Sequence, residues 1–173
     1  MAFAFVKATE GGDWTDPRFE ANWRDARRAG LRVGAYHFFT FCRPGLEQAR
    51  HFLAVVPAEP DALPPALDVE FGGNCGAPPD RATIRRELGN WLDAVERARG
   101  RRPLVYTTSD AYAAFLEGAP LANPVWIRDV WREPSKPAGW LLWQFDSRAH
   151  VRGVDAFVDL NVFSGGREAF DAL

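Results

Sequence analysis

The sequence predicts an α/β protein built from a parallel sheet with helices outside it, and three observations lead there. Short apolar runs ending in polar residues alternate with amphipathic stretches of helical period over most of the chain. Each run carries its polar residues at its C-terminal end, where parallel α/β folds gather their ligands. Near the C-terminus the helical period is lost and two strand-like runs follow one another. A barrel and a doubly wound sheet both satisfy this pattern.

The opening FAFVKATEGG reads as a buried strand that reaches a surface loop at Gly-Gly. TDPRFEANWRDARRAG then predicts a helix, with Asp16 as N-cap, Pro17 at the first helical position, Phe19, Trp23 and Ala26 on one stripe, and Gly30 as the stop. LRVGAYHFF and PGLEQARHFLAVV form a second unit, whose helix has an apolar face of Leu46, Ala49, His51, Phe52 and Leu53. PALDVEF is a third strand. The helix after it is the clearest in the chain, with Ile84, Leu88, Trp91, Leu92 and Val95 on one stripe. RPLVYTTS with DAYAAFLEG makes a fourth unit, and PVWIRD begins a fifth. GWLLWQFDS and VDAFVDLNVF read as two strands, and GGREAFDAL as a short terminal helix.

At 173 residues, 47% hydrophobic and 25% charged, the chain is long enough for one domain with a sizeable core and too short for two, so a single domain over 1–173 is expected. A net charge of -2 offers no attraction to nucleic acid or to an anionic membrane surface. No apolar run approaches the roughly 18 residues of a membrane-spanning helix. Cys42 and Cys75 each follow a predicted strand by a few residues. On neighbouring strands they would share a rim, where a disulfide would contribute roughly 3 to 4 kcal/mol through loop closure; two free thiols fit the sequence equally.

PPALDVEFGGNC places two carboxylates, Asp68 and Glu70, two positions apart at the end of an apolar run. In a strand both leave the same face, their Cα atoms roughly 6 to 7 Å apart. Two like charges on one buried face each raise the cost of ionising the other, so the pair either lies at an open mouth or does chemistry there. One reading is glycoside hydrolysis, with one carboxyl kept protonated and its neighbour ionised. A second is a pair of surface acids bonded to loop amides. A third is a metal site of His37, Asp68 and Glu70, weakened because the histidines show no paired metal-ligand spacing. Other polar residues expected at strand ends are Lys7, Thr9, Glu10, Tyr36, His37, Tyr106, Gln144 and Asp146. No G-x-S-x-G elbow, cysteine-protease signature or phosphate-binding glycine loop occurs.

Taken in order, KATEG, GAYHFF, LDVE, PLVYTT, WQF and VDLNVF resemble the glycoside hydrolase family 25 lysozymes, the Chalaropsis-type muramidases, and the resemblance runs over nearly the whole chain. It implies an irregular TIM-like (β/α)5(β)3 barrel that cuts the β-1,4 bond between N-acetylmuramic acid and N-acetylglucosamine. Glu70 would be the general acid. Asp68 would stabilise the developing positive charge, with the substrate's own N-acetyl group as nucleophile. Asp159 matches a further acid of the cleft, and Tyr36, Tyr106, Trp143, Glu10 and Gln144 match positions that line the sugar groove. No metal or cofactor is implied. The partner is a peptidoglycan glycan strand, which implies a secreted or periplasmic protein.

Two departures from the family pattern matter. Family members begin with a further strand and helix whose strand carries an aspartate, and this sequence starts at what corresponds to the second strand. The expectation is an N-terminally truncated barrel, monomeric if it closes and otherwise able to associate through exposed strand edges. VWIRDV also stands where the family pattern ends in Ala-Arg-Tyr, leaving Trp131 as a substitute aromatic. The alternative to a working muramidase is a non-catalytic peptidoglycan-binding remnant of the same fold.

Overall fold

The computed structural model describes residues 2–119 and 122–173. In chain order its elements are β1 (Phe3–Glu10), β2 (Trp14–Thr15), α1 (Phe19–Arg28), β3 (Arg32–Phe38), α2 (Gly45–Val55), β4 (Ala66–Val69), α3 (Arg81–Arg99) and β5 (Leu104–Thr108). There follow a short α4 (Ser109–Ala111) running into a π-helical turn (Tyr112–Leu116), then β6 (Val125–Arg128), β7 (Leu142–Ala149), β8 (Val158–Phe163) and α5 (Arg167–Asp171).

All eight strands form one sheet in the order β2-β1-β3-β4-β5-β6-β7-β8. Neighbours from β1 to β7 run parallel, while β2 and β8 pair antiparallel at the two ends. The sheet is strongly curled. Phe5 of β1 and Trp126 of β6 lie four strand steps apart, roughly 19 Å across a flat sheet. Their ring centroids are nevertheless 4.8 Å apart. Among the described residues no pairing joins β8 back to β1, so the sheet forms an open half-barrel.

One expected element does not form. The stretch after β6 is a loop to β7 and carries no helix. Its Pro134, Pro137 and Gly139 interrupt any helical run, and no apolar stripe is present to dock one against the sheet. The start of α1 also shifts. Helical geometry begins at Phe19 with Arg18 as N-cap, while the Asp16 carboxylate accepts a hydrogen bond from the Arg18 N–H at 2.7 Å in the preceding turn. The best-defined helix behaves as expected: Asp80 accepts from the N–H groups of Ala82 and Thr83, and Gly100, at φ 66°, ends it.

The two faces of the sheet do different work. Outward-facing Leu67 and Val69 are fully buried in a core with Phe52 of α2 and with Ile84, Leu88 and Trp91 of α3. The inward face is filled by Phe3, Phe5, Ala66, Leu104, Trp126, Leu142 and Phe163. Gly34 makes room there, because a Cβ at that position would lie 2.3 Å from the Phe5 ring. Phe170 of α5 stoppers the bottom, with ring centroids 5.4 Å from Phe3 and 5.5 Å from Phe163. Aromatic filling at one end leaves only the opposite end open to ligand, where the parallel strands terminate.

Cys42 and Cys75 form a disulfide with Cα atoms 6.2 Å apart, tying the loop after β3 to the loop after β4 on the rim of that mouth. Replacing both by serine is expected to lower unfolding free energy by about 3–4 kcal/mol, from the 33-residue separation the bridge closes. Urea unfolding checks this, with the reduced wild-type chain matching the double variant.

Candidate active site

The mouth is assembled by alternation along each strand, with one exception in β1. Residues three apart in a regular strand face opposite ways. In β1 the register against β3 shifts between Lys7 and Thr9, and this bulge turns Lys7 and Glu10 to the same inner face. There the Lys7 ammonium meets the Glu10 carboxylate at 2.8 Å and lies 5.0 Å from the ring centroids of both Trp14 and Phe38.

Asp68 sits in register between Phe38 of β3 and Tyr106 of β5. It is 7% exposed, and its Oδ1 has no hydrogen-bond partner among the described residues. Burial, followed by the like charge of Glu70, pushes the Asp68 carboxyl well above the usual range, with the Lys7 ammonium opposing. Glu70 lies just past the end of β4 and is half-buried. Its carboxyl is also raised, first by burial; Arg128 opposes the shift and Asp110 and Asp159 add to it. A buried orphan oxygen is costly unless a ligand supplies the missing donor, so Asp68 is poised for a substrate N–H or O–H.

Tyr36 and Tyr106 face the same space, and burial, reinforced by Asp68, raises both phenols. They remain neutral hydrogen-bond donors. The Tyr106 ring stands edge-on to Trp126 at 4.9 Å between centroids, which fixes its angle. On β8, Asp159 is largely open to solvent, yet Asp68, Glu70, Tyr36 and Tyr106 all feel its charge, which places its carboxyl in the mouth. Its own carboxyl is raised by desolvation, with Arg128 opposing. Two residues deeper, Asn161 accepts the Trp126 indole N–H at 2.8 Å. Gln144 of β7, in register with Arg128, is 2% exposed.

The structure therefore brings Glu10, Tyr36, Asp68, Glu70, Tyr106, Gln144 and Asp159 to one inner face. It does not bring Trp143. Leu142 points inward, so Trp143 leaves the opposite face of β7, donates its indole N–H to the Asp129 carbonyl at 2.7 Å and packs on Trp140 and Phe145. Trp131 is 93% exposed on the loop after β6.

The His37, Asp68 and Glu70 metal site is not formed. His37 faces outward, where it is fully buried; its Nδ1 accepts the Thr9 hydroxyl at 2.7 Å and its Nε2 meets Gln48 Oε1 at 3.1 Å. The Gln48 amide nitrogen donates to the carbonyls of Thr40 and Arg43, which fixes its oxygen as acceptor and His37 as the Nε2–H tautomer. Burial lowers the His37 pKa to about 3, keeping the ring neutral.

Two residues matter that the sequence reading overlooked. Arg128 is the cation facing both Glu70 and Asp159, and strand alternation from the apolar Trp126 was the signal that could have found it. Asn74 fixes the loop that follows Glu70: its side chain accepts from the N–H of Phe41 at 2.8 Å and donates to the carbonyls of Phe39 and Glu70.

Paired carboxyls with raised pKa, flanked by neutral tyrosines at the C-terminal ends of parallel strands, form an arrangement able to divide acid and charge-stabilising roles between two acids. The pattern described as "Glycosyl hydrolases family 25" matches residues 1–154, and the chain belongs to that family. It is 36% identical over 175 residues to YegX of Escherichia coli O157:H7, covering 100% of this chain and 63% of that protein. It is 32% identical over 192 residues to lysozyme M1 of Streptomyces globisporus, again covering 100% of this chain and 63% of the relative. The chain thus spans less than two thirds of the length of these relatives. Among solved structures, a family 25 glycosyl hydrolase from Bacillus anthracis superposes with a TM-score of 0.93 at 39% identity, covering 99% of this chain and 82% of that one.

Proposed function

We propose that the protein is a peptidoglycan hydrolase that cleaves the β-1,4 bond between N-acetylmuramic acid and N-acetylglucosamine. The observation that carries this reading is the Asp68–Glu70 pair, both carboxyls raised and one of them half-open to the mouth. The likeness to lysozyme M1 of Streptomyces globisporus and to the Bacillus anthracis hydrolase supports the substrate class. Glu70, whose carboxyl burial holds above its usual range, gives its proton to the glycosidic oxygen as the C1–O bond breaks. The acetamido carbonyl oxygen of the same sugar closes on C1, and Asp68 accepts the acetamido N–H through its orphan oxygen, stabilising the positive charge that develops. Water then attacks C1, giving a proton back to Glu70, as the C1 bond to the acetamido oxygen breaks and the free acetamide is restored.

Tyr36, Tyr106, Glu10, Gln144 and Asp159 line the sugar groove, with Trp143 acting only by holding the Asp129 turn. The curled eight-stranded sheet supports a fold of the irregular TIM-like (β/α)5(β)3 kind in an incomplete form, and the substrate together with the Cys42–Cys75 disulfide supports an extracytoplasmic location. Release of new reducing ends from purified sacculi tests the reading. Wall binding without such release would make the protein a binding module instead.

A further inference from the structure

Beside the mouth lies a second cavity of about 230 Å³, between the helical turn after β5 and the loop after β6. Its lining includes Ser109, Tyr112, Glu117, Asp129, Arg132 and Lys136. The inner wall adjoins the reaction centre, because Ser109 and Asp129 are the chain neighbours of Asp110 and Arg128, two charges that Glu70 feels. The Asp129 carboxylate accepts the N–H groups of Trp131 at 3.0 Å and Arg132 at 3.3 Å, which holds the loop and the base of the Arg132 side chain. Lys136 and Glu117 form an ion pair at 2.6 Å on the same lining. Among the described residues the Arg132 guanidinium has no carboxylate or hydrogen-bond partner, and neither do the hydroxyls of Ser109, Tyr112 and Ser135.

Such a lining suits a peptide better than a sugar ring. Among the described lining residues Tyr112 is the one aromatic ring, and it is outnumbered by groups that suit a peptide: a free guanidinium for a carboxylate, hydroxyls for amides, and an ion pair able to exchange partners. Every muramic acid in peptidoglycan can carry, through its lactyl ether, a short peptide with free carboxylates. Accepting the muramidase reading, we propose that this cavity receives that acidic stem peptide and that Arg132 binds one of its carboxylates, so that the protein prefers peptide-bearing strands to bare glycan.

Initial rates on soluble glycan strands, with the peptides intact and with the peptides removed by an amidase, test this for the wild-type chain and Arg132→Ala. Arg132 is exposed, so its truncation leaves the fold intact. The expected result is a wild-type kcat/KM roughly tenfold higher on peptide-bearing strands, a preference that Arg132→Ala removes while keeping its rate on bare strands. Equal wild-type rates on the two substrates, or an unchanged preference in the variant, would overturn the proposal. If a folded wild-type chain cleaves neither strand, the hydrolase reading is what fails. The cavity is then decided by calorimetric titration with the free tetrapeptide L-Ala-γ-D-Glu-meso-diaminopimelate-D-Ala: binding lost in Arg132→Ala upholds it, and no binding to the wild type refutes it.

Discussion

Replacing Glu70 with glutamine is expected to lower kcat on purified peptidoglycan by about 10²–10⁴-fold, the usual loss when a positioned general acid is removed. KM should change little. Glutamine keeps the shape and the hydrogen bonds of a protonated glutamic acid but has no proton of useful acidity to give the leaving oxygen. The structural basis is the raised carboxyl of Glu70, which burial keeps protonated to higher pH and which Arg128 stops from rising further. Activity of the wild type should accordingly fall as pH climbs through the raised Glu70 pKa, because the acid is then lost. Kinetics on soluble strands check both points; a glutamine variant within tenfold of wild type would remove Glu70 from the chemistry.

Asp68→Asn is expected to reduce kcat by a comparable factor and to make the resting protein more stable. The sign follows from linkage. A carboxyl whose pKa is raised on folding contributes its full stability below the unfolded value near 4, and that contribution is lost as pH rises through the folded pKa. Asp68 is raised by burial and by Glu70, so near neutral pH the wild type carries a penalty that asparagine lacks. Melting curves at pH 4 and pH 7 should show the variant gaining on the wild type as pH rises. By pH 7 the gain should be of order 1 kcal/mol, or about 2–4 °C in Tm for a chain of this size. A variant less stable than wild type at pH 7 would mean that the Asp68 carboxylate is well solvated in the fold. On the proposed mechanism the costly group is retained because the orphan Oδ1 gains its partner when substrate brings an N–H.

Much of this site was legible before the structure. The apolar runs and their polar C-terminal residues located the mouth, and the two-residue spacing of Asp68 and Glu70 put both acids on one face because strand period is fixed at two. What escaped had physical reasons. The Lys7–Glu10 pair depends on a bulge in β1 that sequence alternation does not announce. His37 looked like a companion of Tyr36 at the strand end, but adjacent residues face opposite ways, and His37 belongs to the outer network with Thr9 and Gln48. The same rule sends Trp143 away from Gln144. Arg128 was hidden because an arginine in an apolar strand reads as a break in the pattern, whereas here the mouth's carboxylates surround it. The stretch after β6 was read as the start of a strand–helix unit from its strand alone, although its prolines already argued against a helix.

The central claim, that the Asp68–Glu70 mouth cuts the muramic acid side of the glycan, is tested most directly by mass spectrometry of borohydride-reduced fragments released from purified peptidoglycan, with Glu70→Gln run in parallel. The account predicts new reduced muramic acid ends from the wild type and none from the variant. Reduced glucosamine ends, or muramic acid ends that persist in Glu70→Gln, would contradict it.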